Sequence, residues 1–103
     1  RWSLERAEFA LRRDVEVVLD GICQRLPWFG DLDDVRQAVL VSMGFQMGVP
    51  GLLKFKDTLA AVKLGEYEHA ANGMMASLWA KQTPGRAMRH ADMMRYGEWE
   101  RVQ

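Results

Sequence analysis

Apolar residues recur at helical spacing along most of this chain and divide it into segments. Between Ser3 and about Gln24, Leu4, Leu11, Val15, Val18, Leu19 and Ile22 mark one stripe, which predicts a long amphipathic helix with Ser3 as its N-cap. Arg6, Arg12, Arg13, Asp14 and Glu16 fall mostly off that stripe and read as a solvated face. Leu26-Pro27-Trp28-Phe29-Gly30 interrupts the pattern, since proline removes a backbone donor and glycine frees the chain, so a turn or short distorted helix belongs there. Asp31, Asp33 and Asp34 then place negative charge where the positive end of a helix dipole would lie. Val35, Ala38, Val39, Val41, Met43, Phe45 and Met47 follow, apolar on nearly every side, which predicts a buried central helix from Asp33 to Met47, ended by Gly48 and followed by Val49-Pro50-Gly51.

Leu52, Leu53, Phe55, Leu59, Ala60, Val62 and Leu64 supply two short helical pieces, punctuated at Lys56-Asp57-Thr58 and stopped by Gly65. Tyr67 to Ala76 reads as a further helix, weakened by Gly73. Thr83 and Pro84 suit the N-cap and first turn of a last helix running to about Tyr96, where Gly97 stops it and a tail begins. No stretch alternates with period two and no repeat is present, so the predicted class is all-α, with six or seven short helices around one buried central helix. The seven methionines are expected to fill irregular gaps between them.

A chain of 103 residues suits a single domain with its own core. Lys and Arg total 14 and Asp and Glu total 14, so no net field draws it to nucleic acid or an anionic membrane surface. Cys23 is the single cysteine, which excludes an internal disulfide and reads as a buried small hydrophobe. With two histidines, His69 and His90, isolated on different predicted helices, no spaced metal-ligand set is legible and no cofactor is expected. No segment reaches the roughly 20 apolar residues of a membrane span, no signal peptide opens the sequence, and a first residue Arg1 suggests a fragment or processed chain.

Candidate chemistry is sparse. Asp31, Asp33 and Asp34 read as charge at a helix N-terminus, and Glu98 and Glu100 as an exposed tail, so neither set offers the converging carboxyl pair that a glycosidase needs. Gly44 and Gly48 read as a close helix-packing pair and not as a phosphate loop. The stretch Ser77-Leu78-Trp79-Ala80-Lys81-Gln82-Thr83-Pro84-Gly85-Arg86 brings an aromatic face, amides, hydroxyls and a guanidinium to the start of a helix. That mixture suits contact with sugar or peptide, but the preferred reading from the residues is a capped turn around a core tryptophan, since tryptophan is more often packing than ligand platform.

The stretch Arg36-Gln37-Ala38-Val39-Leu40-Val41-Ser42-Met43-Gly44-Phe45-Gln46-Met47-Gly48 resembles the central buried helix of the T-even phage-type lysozyme family. The stretch from Ser77 to Arg89 resembles that family's Trp, Gln-Thr-Pro and Arg segment in the same register. Phe55-Lys56-Asp57-Thr58-Leu59, Tyr67-Glu68-His69-Ala70-Ala71 and Arg95-Tyr96-Gly97-Glu98-Trp99 are similar to further family pieces, so the resemblance runs along essentially the whole chain. It implies a carboxy-terminal helical lobe: residues 1–24 resemble the helix that joins the two lobes, and 25–103 the lobe itself. The family's catalytic glutamate lies before that joining helix, so the resemblance implies no catalytic residue here and a chain inactive by itself.

What the resemblance carries over is the carboxy-terminal wall of a peptidoglycan cleft. Phe45 and Gln46 would face the saccharide at the end of the central helix, with Trp79 backing the cleft or orienting Gln46. Ser77 and Gln82 would contact the peptide stem, and Arg86 would pair with the catalytic glutamate, favouring its carboxylate form. Gly73 stands where the family can place a polar substrate-facing residue, Leu78 replaces a basic neighbour of the tryptophan, and the net charge is zero. The implied parent is a muramidase of the host cytoplasm before lysis, acting on the bacterial cell wall. The rival expectation is a non-catalytic lysozyme-derived module that binds peptidoglycan or a protein partner. In either case Trp2, Leu4 and Phe9 would present an apolar patch inviting self-association or a missing N-terminal catalytic lobe.

Overall fold

The computed structural model describes residues 12–99, which are helical with no strand among them. They fall into two compact units, one ending at Lys54 and one beginning at Phe55. The expected all-α class is borne out. Among the described residues no single helix is long and apolar enough to cross a membrane.

The first unit holds helix α1 (Arg12–Arg25), a 3-10 turn (Phe29–Asp31) and helix α2 (Asp34–Leu53). The expected start of the first helix at Ser3, and the patch of Trp2, Leu4 and Phe9, lie outside the described residues. Within α1, Ile22 is fully buried while Val18 and Leu19 are half-buried, as the stripe predicts. Cys23, by contrast, is exposed and not the buried hydrophobe expected. One residue step turns a helix by about 100°, so Cys23 cannot share the inward direction of Ile22. Pro27 and Gly30 break the helix as predicted, and the turn that follows is held from α2: the Gln37 amide Nε2 donates to Leu32 O at 3.0 Å and Phe29 O at 3.2 Å.

Helix α2 starts on Asp33, whose carboxylate accepts from the Arg36 backbone N–H at 3.1 Å and also meets the Arg36 guanidinium at 3.1 Å. Ala38, Val39, Leu40 and Val41 are buried in succession, a full turn with no solvated side, as an all-round apolar sequence demands. Gly44 is where α1 comes close: a β-carbon there would lie 3.0 Å from Val18 Cγ1 and 3.3 Å from Ile22 Cδ1. Gly48 corrects the expected packing pair. It sits at φ 82°, ψ 152° and its nearest neighbour would be Pro50 Cδ at 3.7 Å, so this glycine serves the backbone and not a close approach. The helix is indeed broken at Gly48, but it resumes at once through Val49-Pro50-Gly51 to Leu53, because proline fits a first helical turn.

The second unit contains α3 (Lys56–Lys63), α4 (Tyr67–Met75), α5 (Leu78–Gln82) and α6 (Pro84–Tyr96). Gly65 (φ 79°) closes α3 and Gly97 (φ 70°) closes α6, both in the left-handed region that glycine enters without steric cost. Ala70 and Ala71 on α4 and Ala87 and Ala91 on α6 are buried, and their small side chains let these two packed helices approach around Met74 and Met94. Met43, Met74 and Met94 are fully buried and fill the core as expected of methionine, whereas Met88 is exposed. Helix α5, a single turn and a half, went unread in the sequence because five residues carry too little periodicity.

Arg95 ties α4 to α6. Its Nε donates to Glu68 Oε1 at 3.1 Å, one terminal nitrogen to Asp92 Oδ1 at 3.1 Å and the other to Asn72 Oδ1 at 3.2 Å. The carboxylates are partly solvated, which weakens each pair, so Arg95→Met is expected to lower stability by only about 1 kcal/mol. Urea unfolding would check this, and a loss several times larger would contradict the solvated picture.

Candidate functional site

The predicted site residues divide between the two units. In the first, Phe45 is exposed and Gln46 half-buried near the end of the regular part of α2. The four-residue step from Ser42 to Gln46 puts both side chains on one helix face, and Gln46 Nε2 donates to Ser42 Oγ at 3.0 Å. That bond restrains the Gln46 side chain through its Nε2.

In the second unit the stretch from Ser77 to Arg86 is a pair of linked helix ends. Ser77 is the N-cap of α5: its hydroxyl accepts from the Ala80 N–H at 3.3 Å and donates to Met74 O at 2.7 Å. Thr83 was expected to cap α6 and does not, because its hydroxyl donates back to Trp79 O at 3.0 Å. The Trp79 carbonyl also receives the Thr83 backbone N–H at 2.9 Å, so Thr83 closes α5 while Pro84, which has no N–H to satisfy, opens α6. Gln82 and Arg86 are exposed, and among the described residues the Arg86 guanidinium forms no ion pair. Leu78 is 69% exposed, so the turn holds an apolar side chain in water one residue from the tryptophan.

Trp79 itself is half-buried and in contact with two rings. Phe55 meets it edge to face at 6.4 Å between centroids, and His90 does so at 5.7 Å, both nearly perpendicular. His90, isolated in the sequence, has a defined place in the structure. Its Nδ1 lies 2.9 Å from Arg86 O, and since a carbonyl only accepts, the neutral ring carries its proton on Nδ1. A signal for this existed: residues 86 and 90 are one turn apart and the tryptophan precedes the same helix. His69 is exposed, as read.

Burial is the main cause holding the His90 imidazole below its ordinary pKa; the Arg86 carbonyl works against this, while the Arg86 and Arg89 charges reinforce it. The unfolded chain therefore binds a proton more readily than the folded one. Stability contributed by neutral His90 is present above the ordinary value of about 6.5 and is lost as pH falls from there through the lower folded value. Urea unfolding across pH 5 to 8, roughly this window, should show stability falling toward acid in the native chain and a flatter profile in His90→Phe.

Around Gly73 the close neighbour is Thr58: a β-carbon on Gly73 would stand 2.5 Å from Thr58 Oγ1. The position from which the resemblance would project a polar side chain is thus directed at α3. No group of three or more metal-ligating side chains occurs among the described residues. The exposed groove of about 630 Å3 at the start of α4, lined by Gly65, Glu66, Tyr67, Glu68, His69 and Asn72, shares no residue with the predicted set. Asp33 is a helix cap, Glu98 is exposed, and Glu100 lies outside the described residues, so no carboxyl pair of a glycosidase is assembled among those described.

An all-α lobe with these elements is lysozyme-like in class. Comparison with known proteins gives the relationship by sequence. The chain is 35% identical over 69 residues to Probable T4-type lysozyme 1 of Dictyostelium discoideum, and 36% identical over 61 residues to Probable T4-type lysozyme 2 of the same organism. These matches take in 67% and 59% of this chain but 41% and 36% of the relatives. It is also 48% identical over 54 residues, 52% of its length, to the pre-baseplate central spike protein Gp5 of Enterobacteria phage T4, of which that match covers 9%. No protein-family model matches the chain. The chain is thus a sequence relative of the T4-type lysozymes, spanning less than half the length of each of these two.

Proposed function

We propose that this chain is the carboxy-terminal, substrate-gripping lobe of a muramidase that hydrolyses the bond between N-acetylmuramic acid and N-acetylglucosamine in bacterial peptidoglycan. The observation that carries the reading is the match to proteins named T4-type lysozyme, joined to a half-buried tryptophan in one stretch of chain with the exposed Gln82 and Arg86. In this reading Gln46 hydrogen-bonds the saccharide beside Phe45, Trp79 lends an aromatic face, Ser77 and Gln82 meet the peptide stem, and Arg86 pairs with a catalytic glutamate supplied by another part of the protein. Arg86 suits that role because among the described residues its guanidinium forms no ion pair: a carboxylate brought to it is held ionised and oriented.

Glycoside cleavage needs a proton donor and a second carboxylate placed across the bond. None of the residues given a role here supplies either, so the 103-residue chain should leave a suspension of cell walls turbid. A turbidity assay on purified walls tests this, and clearing at a rate near that of a complete T4-type lysozyme would refute the division of labour. A second reading, a non-catalytic lobe that binds peptidoglycan or a protein partner inside a larger phage assembly, is favoured by the match to a protein named as a central spike. Sequencing the reading frame on both sides distinguishes them, since a segment carrying a catalytic glutamate in frame supports the first.

A further inference from the structure

We propose that His90 is a positioning residue: it fixes the ring of Trp79 relative to the start of α6 and so sets the aromatic face of the lobe. This rests on the reading of Trp79 as part of a saccharide-facing surface. Two contacts make the case. The imidazole stands perpendicular to the indole with centroids 5.7 Å apart, and the same imidazole is tethered through Nδ1 to Arg86 O at 2.9 Å. The tether fixes the histidine rotamer, because a ring bound at one nitrogen to its own helix can no longer turn freely about its side-chain bonds. A fixed imidazole then presents one edge or face to Trp79, and Phe55 makes a second perpendicular contact with the indole at 6.4 Å. An aliphatic side chain at 90 would fill space beside the indole without selecting its orientation, since it has neither the ring quadrupole nor the polar tether.

The arrangement also joins two residues that the sequence reading assigned separately. Trp79 lies on α5 and Arg86 on the first turn of α6, with Thr83 and Pro84 between them. His90 touches the ring of one and the carbonyl of the other, so displacement of either is felt by both.

The test compares the native chain with His90→Ala, which loses ring and tether, and His90→Phe, which keeps a ring but no donor. Arg95→Met serves as a destabilised control away from Trp79. The Trp79 indole N–H, assigned with Trp79→Phe, is followed by nitrogen relaxation, and binding of a soluble disaccharide-peptide muropeptide is measured by calorimetry. His90→Ala should loosen the indole and weaken muropeptide binding between about twofold and tenfold, the range an aromatic pair of this kind represents. His90→Phe, which keeps a ring without the tether, should recover only part of the indole order, full recovery overturning the role of the tether, and Arg95→Met should change neither reading. Unchanged indole order in His90→Ala would overturn the proposal, as would equal loosening in Arg95→Met. If the native chain fails to bind muropeptide, the saccharide-facing reading falls, and the positioning role is decided by the relaxation data alone.

Discussion

Gly73→Ala should destabilise the second unit by about 1–2 kcal/mol, against the usual sign for this exchange inside a helix. Alanine ordinarily adds nearly 1 kcal/mol over glycine at an interior helical position. Here the added carbon would sit 2.5 Å from Thr58 Oγ1, closer than such atoms can approach. Thr58 is buried, and its branched side chain has few rotamers on a helix, so it has little freedom to swing aside. Helices α3 and α4 must separate instead, and overpacking of this kind costs about 1–3 kcal/mol, more than the propensity gain. Thr58→Ala removes the obstructing atom, so a double-mutant cycle should show strong positive coupling, with Gly73→Ala tolerated or favourable in the Thr58→Ala background. A higher midpoint of urea unfolding for Gly73→Ala alone would mean that the two helices are not this close. The same geometry means that any side chain at 73 requires a smaller partner at 58.

Replacing Gly48 by alanine is expected to lower the stability of the first unit by about 1–3 kcal/mol, for a wholly different reason. The added carbon has room, its nearest neighbour being Pro50 Cδ at 3.7 Å. What it lacks is an allowed backbone: φ 82° with ψ 152° belongs to a region that residues with a β-carbon hardly enter. Asparagine discriminates between explanations. It tolerates the left-handed helical region, but ψ 152° lies far from that region, so Gly48→Asn should lose as much as Gly48→Ala. Thermal unfolding of both variants checks this, and an asparagine variant close to the native midpoint would place the bend in the left-handed helical region instead. Because Gly48 follows Gln46 by two residues, a relaxed bend should also disturb the amide beside Ser42, visible as a shift of the Gln46 side-chain NH2 resonances.

The candidate site was legible in uneven measure. Ser77 and Thr83 were recognisable as capping types, yet only Ser77 caps by its side chain; Thr83 turns back to Trp79 O, a choice made by the short loop that joins two helices there. Gln46 was legible as a cleft candidate through resemblance alone, whereas its bond to Ser42 follows from the helix step and was open to view in the residues. His90 was harder to read because its one cue, the four-residue step from Arg86, is shared by every such pair on a helix, and its contact with Trp79 crosses from one helix to another.

By itself the sequence determined what depends on neighbours along the chain. Helical periodicity, the acidic start near Asp33, the stops at Gly65 and Gly97, the proline at the start of α6 and the break at Gly48 are all settled within a few residues, where propensity and sterics act directly. Only the tertiary structure decided which small residues mark close approaches, with Gly44 against Val18 and Ile22, and Gly73 against Thr58. It also decided that Cys23 faces water and that His90 meets Trp79. Those outcomes depend on the rotation and spacing of packed helices, quantities set by the sum of many side-chain contacts and carried by no single stretch of residues.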